Sequence, residues 1–302
     1  MTKFFCKVII GSMDRQTAGA HAPYLLPRRA RESSKHDYGR LLIVGGSVGY
    51  SGAPTLASRA AVRGGAGLVH LAVPRGIYTI AAVKNDEAMV HPLPAEEAEG
   101  TIAAAALPRL QDLAERCDVL AIGPGLGRSG GVIEVVRSLA GSFQGQIVLD
   151  ADALWALARL EDGFLARLKR PAVLTPHEGE FKNHLGGCLS CGREEAARRY
   201  AAEKRCVMVL KGANTVAAFP DGTTYVNHSG NPGLARGGSG DALTGIMGAM
   251  LCQFPPEKAV PLAVYLHGLA GDLAAGERGE YGMTITDVIE ALPRAMKLIT
   301  EE

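Results

Sequence analysis

Residues 227–245 read NHSGNPGLARGGSGDALTG, and the two halves of this stretch ask for different backbones. Gly230, Asn231, Pro232 and Gly233 stand in a row, each a residue that turns or breaks a chain. Gly237, Gly238, Ser239, Gly240 and Asp241 then open straight into residues 242–251, an apolar run that reads as a buried helix. A helix N-terminus leaves N–H groups without intrahelical partners and carries the positive end of the helix dipole. Glycine-rich backbone at that point suits an anion. The carboxylate in the first turn has two open roles. Ser239 or Asp241 can cap the helix, or Asp241 can serve as a base beside the bound anion. Capping requires no glycines, and the three that precede Asp241 favour the base.

Working outward, the stretches before this junction alternate between short apolar runs and helical patterns. Residues 41–44 form a strand that ends in Gly45 and Gly46; residues 53–62 are a small-residue helix, and 68–73 the next strand. Residues 103–116 read as helix, 119–122 as a buried strand running into GPGLG (123–127), 131–139 as helix and 147–149 as strand. Asp150 and Asp152 stand at that strand's end, followed by helix 153–160, strand 172–174 and a helix beginning at Thr175. Helix 194–204 and strand 207–210 come next. A hairpin follows, from 215–219 through Pro220, Asp221 and Gly222 to 223–226. After the glycine junction, helices near 242–252, 258–275 and 285–299 finish the chain.

Strands separated by helices imply an α/β fold with a mostly parallel sheet covered on both faces. Ligands in such sheets bind at the carboxyl ends of the strands, where every glycine-rich loop here falls. We therefore expect one catalytic domain over 36–302 with a single site, and an N-terminal arm over 1–35, rich in Arg, Ser and Pro.

Composition excludes several classes of function. With 302 residues, 47% hydrophobic and 21% charged, the chain fills a core, and a net charge of +1 offers nothing to nucleic acid or an anionic membrane. Aromatic residues make up 5%, too few for base-stacking platforms. Cys6, Cys117, Cys188, Cys191, Cys206 and Cys252 are scattered, as buried thiols in a reducing cytoplasm are. Cys188 and Cys191 form a C-x-x-C, but no second pair completes a zinc site. The N-terminal apolar run is too short for a signal sequence, and no stretch reads as a membrane span.

Three further motifs bear on chemistry. GPGLG resembles a dinucleotide loop without its last glycine, since position 128 is Arg; close ligand approach and a plain tight turn are both open. In Thr175-Pro176-His177-Glu178-Gly179-Glu180, Thr175 and Glu178 make a capping box with Pro176 at the first helical position. That leaves His177 and Glu180 to face the ligand edge. Lys211, ahead of Gly212, Ala213, Asn214 and Thr215, ends a strand where an ammonium can reach a phosphate.

Taken together, GGSVGYSGAP, GPGLG, DADAL, TPHEGEF, LKGANT, NPGLARGGSGD and YLHGLAGD resemble the ADP-dependent NAD(P)H-hydrate dehydratases, a ribokinase-like family. The motifs follow the family order from about Ser34 to the C-terminal helix. The resemblance implies a three-layer sandwich and a repair lyase. Its substrate is the S form of hydrated NADH or NADPH, with ADP as phosphoryl donor and Mg2+ as cofactor. It implies that Asp241 takes the hydroxyl proton while the amides from Gly238 to Gly240 hold the developing charge. Ala53, Gly125, His177 and Asp241 become hydrate contacts. Lys211, Gly212, Ala213, Asn214, Thr215 and Gly240 become adenine-nucleotide contacts. An N-x-x-E motif of the wider superfamily appears as His177-x-x-Glu180, leaving Glu180 a magnesium candidate only through water. The resemblance also suggests a cytoplasmic homo-oligomer, with a tetramer as the candidate assembly. The epimerase domain fused to many members is not expected in the first 35 residues.

The chain departs from the family pattern at two points. An SHKG run appears as Ser33, Ser34, Lys35 and His36, and Arg236 replaces a small hydroxyl residue, where it could touch a phosphate or sit in solvent. Two rivals stand beside the lyase. A thiazole or pyrimidine alcohol kinase would share GGSGD, and a non-catalytic nucleotide sensor would not need Asp241, Lys211 and His177 together.

Overall fold

A computed structural model describes residues 15–98 and 100–301. In chain order, α1 (Arg15–His21) precedes β1 (Arg40–Val44), α2 (Gly52–Arg63), β2 (Leu68–Pro74), α3 (Tyr78–Lys84) and β3 (Met89–Leu93). Then come α4 (Leu107–Ala114), β4 (Val119–Ile122), α5 (Gly130–Ser142), β5 (Gln146–Leu149), α6 (Asp152–Leu157), β6 (Val173–Leu174) and α7 (Glu178–Asn183). After α8 (Arg193–Lys204) and β7 (Val207–Leu210) comes the hairpin of β8 (Val216–Ala218) and β9 (Thr224–Val226). Helices α9 (Ser239–Leu251), α10 (Pro256–Arg278) and α11 (Ile285–Leu298) end the chain.

The strands form one sheet in the order β3-β2-β1-β4-β5-β6-β7-β8-β9. It is parallel through β7, and the hairpin adds two antiparallel strands. Successive side chains of a strand point to opposite faces, and both faces here are covered. Leu41, Ile43, Val119, Ala121 and Val148 meet one core with Ala57, Ile246, Leu266 and Val288 of α2, α9, α10 and α11. Leu42, Val44, Leu120, Ile122 and Ile147 meet the other with Leu110, Val135, Leu154 and Ala197 of α4, α5, α6 and α8. This is the expected three-layer α/β sandwich. On the first face α9 lies in backbone contact with α2: a Cβ on Gly245 would stand 2.0 Å from the Ala57 carbonyl oxygen. That contact sets the height of the α9 N-terminus above the sheet edge.

Three departures from the sequence reading have physical causes. Sequence periodicity missed α3 and β3, because β3 is a half-exposed edge strand with Pro92 inside it and no continuous apolar run. By length and hydropathy α10 would reach across a membrane, contrary to the sequence expectation. Yet 89% of its apolar window is buried, and its side chains belong to one of the two cores. Residues 15–35 of the expected arm lie along the domain: Tyr265 Oη donates to the Ala18 carbonyl at 2.8 Å, and Leu26 N to Ile299 O at 2.8 Å. Residues 1–14 of that arm, with Cys6, fall outside the described residues. Cys188 and Cys191 are exposed between α7 and α8, and among the described residues no group of three metal-ligating side chains forms.

Candidate active site

Strand order reverses between β1 and β4, so the loops that follow these strands meet at the switch point where α/β sheets bind ligands. The two loops are locked together. Gly46 N donates to Pro124 O at 2.8 Å, and Ser47 Oγ to Gly125 O at 2.8 Å. Gly125 has φ +62, and a Cβ on it would lie 3.0 Å from Ala53 Cβ and 2.9 Å from Tyr50 O. Ala53 and Gly125 are therefore neighbours, and only a residue without a side chain fits between them.

A second group converges on the ends of β5, β6 and β7. Lys211 Nζ lies 2.7 Å from Asp150 Oδ1 and 3.8 Å from Glu180 Oε2. Asp150 is 1% exposed, and its Oδ2 accepts from Thr244 Oγ1 of α9 at 2.7 Å. Burial alone would lower the pKa of the Lys211 ammonium, but Asp150 and Glu180, with Asp241 adding to them, outweigh it and raise it. Lys211 N also donates to Pro176 O at 2.8 Å, which places His177 beside it.

That strand-like pairing corrects one expectation. The chain stays extended through Pro176, so the cap of α7 is His177 rather than Thr175. His177 Nδ1 accepts from Glu180 N at 3.1 Å, and Glu180 Oε2 accepts from His177 N at 2.8 Å. The capping box is therefore made by the two residues assigned to the ligand. Thr175 instead extends the ladder, its N–H donating to Leu149 O at 3.2 Å.

At the glycine junction neither Ser239 nor Asp241 caps the helix. Gly238 is the cap, at φ +93, and no side chain satisfies the first turn of α9. A Cβ on Gly240 would stand 3.1 Å from Lys211 Nζ, so the lysine, Asp150 and the helix N-terminus share one small volume. Asp241 sits in that volume, and burial pushes its carboxyl up to about 6, reinforced by Asp150 and countered by Lys211. Asp152 adds to the rise and ties in the first group, since its Oδ2 accepts from Gly127 N at 2.9 Å. Ser239 Oγ pairs with His267 Nε2 at 3.3 Å, and burial keeps that imidazole neutral, its pKa near 4.

The remaining sequence candidates sit further out. Gly212 and Thr215 close a turn, Thr215 Oγ1 donating to Gly212 O at 3.0 Å. Asn214 adopts φ +55 and pairs with His228 at 3.3 Å. Arg193 of α8 clamps this loop from behind, donating to Ala213 O at 2.5 Å and Leu210 O at 2.9 Å. Of the loop, Lys211 alone reaches the Asp150 cluster, while Ala213, Asn214 and Thr215 turn toward α8 and the hairpin. Sequence reading missed the parts played by Asp150, Thr244, His267 and Arg193. Asp150 was visible at a strand's end, but its partners lie 61 and 94 residues away.

Arg236 meets neither role left open for it. Its guanidinium donates to Gly233 O at 2.8 Å, Glu280 O at 3.1 Å and Tyr281 O at 3.4 Å, and to Met283 O. It fastens the NPG loop to the turn before α11. Arg236→Ala leaves those carbonyls short of a donor and is expected to cost ~2 kcal/mol, lowering the melting temperature by about 4 °C. An unchanged melting curve would show that the staple is not needed.

A helix N-terminus free for an anion, a lysine on one side and a carboxylate of raised pKa in its first turn together suit phosphoryl transfer to a hydroxyl. Comparison with known proteins bears on which family carries such a site. A family model described as NAD(P)H-hydrate dehydratase matches residues 41–294. The bifunctional NAD(P)H-hydrate repair enzyme of Moorella thermoacetica is 47% identical over 282 residues, covering 92% of this chain and 53% of that one. The chain thus spans about half the length of such bifunctional relatives. The ADP-dependent (S)-NAD(P)H-hydrate dehydratase of Bacillus subtilis is 35% identical over 283 residues, covering 92% of this chain and 96% of that one. A crystal structure of the Bacillus subtilis ADP/ATP-dependent NAD(P)H-hydrate dehydratase, co-crystallised with ATP/Mg2+, superposes with a TM-score of 0.79. It is 33% identical and covers 94% of this chain and 96% of that one. A hydroxyethylthiazole kinase from Pyrococcus horikoshii superposes at a TM-score of 0.53 with 20% identity over 81% of this chain and 94% of that one, a likeness of fold alone.

Proposed function

The chain belongs to the NAD(P)H-hydrate dehydratase family, and from that premise we propose that it dehydrates the S form of hydrated NADH or NADPH with ADP as phosphoryl donor. The observation that carries this is the union of Asp241, Lys211 and Gly240 at the start of α9, where no side chain caps the helix. Hydroxide leaves a carbon poorly, and phosphate leaves it well. In the first step a ring hydroxyl oxygen attacks the terminal phosphorus of ADP, an O–P bond forms, and the bond to AMP breaks. Asp241 takes the hydroxyl proton, and the amides at the start of α9 hold the equatorial oxygens. In the second step the ring nitrogen's lone pair expels phosphate, and loss of a proton from the adjacent carbon restores the dihydropyridine. AMP and phosphate remain.

Gly125 and Ala53 shape the floor for the dinucleotide, with His177 at its margin. Lys211 and its loop receive the adenine nucleotide, with Gly240 leaving room for the phosphates. Magnesium would neutralise charge on those phosphates. Both oxygens of Asp150 already accept hydrogen bonds, and Glu180 Oε2 already accepts from His177 N, so the donor set fits an ion carried by the nucleotide that faces Glu180 across water. A cytoplasmic homotetramer completes the proposal, and analytical ultracentrifugation measures the assembly.

Purified protein supplied with hydrated cofactor, ADP and magnesium is expected to restore reduced-nicotinamide absorbance while releasing AMP and phosphate in equal amounts. Parallel reactions with ATP show which donor it uses. Nucleotide turnover that leaves the hydrate intact and accumulates a phosphorylated alcohol would establish the kinase instead.

A further inference from the structure

We propose that Asp150 is a positioning residue that divides the Lys211 ammonium from the Asp241 base, holding the lysine on the donor side of the site. The inference rests on the phosphoryl-transfer reading above and assigns a role to a residue that the reading leaves without one. Its basis is geometric. Lys211 Nζ stands beside the Cα of Gly240, one residue from Asp241, close enough that a Cβ there would be 3.1 Å from it. An unanchored ammonium in that position would pair with Asp241 and hold the base as a salt. Asp150 Oδ1 takes the ammonium at 2.7 Å instead.

The anchor is itself fixed. Asp150 Oδ2 accepts from Thr244 Oγ1 at 2.7 Å, one helical turn along α9 from Asp241. Ala151 next to it holds φ +47, a conformation an alanine adopts only when its surroundings impose it. The carboxylate therefore tethers the strand end, the lysine loop and α9 to one another. The charged or titratable groups facing Asp241 are Asp150 from the end of β5, Asp152 from α6, Glu180 from α7 and Lys211 from the end of β7. His267 of α10 lies behind Ser239 and is neutral. Of the carboxylates, Asp150 raises Asp241 most, and Lys211 opposes it.

Asp150→Asn keeps the shape and removes the charge. Two effects then act in one direction. The negative neighbour of Asp241 is gone, and the released ammonium is free to pair with the base, so the pKa of Asp241 falls. The acid midpoint of kcat, expected near 6 in the unaltered protein, moves at least half a pH unit lower, and plateau kcat drops about tenfold or more. A merely structural Asp150 would lower kcat equally at every pH and leave the midpoint in place, which would overturn the proposal. Carbon-13 NMR titration of aspartate carboxyls, with Asp241→Asn assigning the resonance, reads the same shift without turnover. If the protein shows no dehydratase activity but the resonance moves, the functional reading fails, and what stands is the division of charge between Lys211 and Asp241 without its donor-side role. If it is active and the midpoint stays, this one fails alone. Should Asp150→Asn not fold, Lys211→Gln carries the test with opposite sign: with Asp150 no longer neutralised, the Asp241 resonance must titrate above its original midpoint. A midpoint that does not rise refutes the division of charge.

Discussion

Asp241→Asn is expected to lower kcat by about a thousandfold while leaving ADP binding intact or tighter. A positioned base contributes ~10²–10⁴ in rate, and the neutral amide cannot accept the hydroxyl proton. Nucleotide affinity should not suffer, because the substitution removes a negative charge close to where phosphates bind and leaves Lys211 and the α9 amides in place. In the unaltered protein the same group sets the acid limb of the pH profile: kcat falls below about 6 as Asp241 is protonated.

The stability of this variant provides an independent check. The folded pKa of Asp241 lies above its ordinary value, so the folded protein holds that proton more tightly than the unfolded chain. Its contribution is therefore present at low pH and lost as pH rises from about 4 to about 6. A neutral amide at this position would carry no such loss. The variant is expected to be more stable than the original by ~1 kcal/mol at neutral pH and equal to it below about pH 4. Calorimetry at the two pH values measures the difference. Full activity in Asp241→Asn would remove the base from the mechanism, and equal melting temperatures at neutral pH would show that its carboxylate is not strained by burial.

How far the sequence disclosed this site depends on the range of each interaction. Gly237, Gly238, Gly240 and Asp241 were readable because a loop, a helix start and a carboxylate are contiguous, and the reasoning from amides to anion needs no tertiary contact. The strands were readable because both faces of the sheet are covered, which makes β1, β4 and β7 continuously apolar. The edge strand β3 lacked that signature. The cap of α7 was misplaced by two residues because both Thr175 and His177 have an acidic residue three positions on. What decides between them is the pairing of Lys211 N with Pro176 O, a contact between strands that a local motif does not contain. Arg236 was ambiguous for the same reason, since its acceptors lie up to 47 residues away. Asp150 is the sharpest case. DADAL announces a carboxylate at a strand end, yet its hydrogen-bond partners are Lys211 and Thr244, which only the sheet order and α9 bring to it.

Gly123, the first glycine of GPGLG, carries the other large expected effect. It has φ +137, and a Cβ built on it would lie 1.8 Å from the Asp150 carbonyl oxygen and 3.2 Å from Ala153 Cβ. The crowding follows from the sheet: β4 and β5 are adjacent parallel strands that both end here, and Asp150 N still donates to Ile122 O at 3.1 Å. Neither chain can retreat, because Gly123 N is tied to Val44 O at 3.1 Å. Gly123→Ala must therefore displace Asp150 backbone and also occupy a conformation that disfavours a side chain. We expect a loss of ~4 kcal/mol and a melting temperature lower by about 8 °C. Activity should fall further than stability, because the backbone being displaced carries the carboxylate that holds Lys211. Gly130→Ala serves as the control, since a Cβ there meets nothing within 4 Å and the residue opens α5. It should be neutral or stabilising by ~0.5 kcal/mol. If the two alanines cost the same, the close approach of GPGLG to Asp150 is not what confines position 123 to glycine. If Gly123→Ala alone loses both stability and turnover, that glycine serves the strand end beneath it, where the Asp150 carbonyl leaves no room for a side chain.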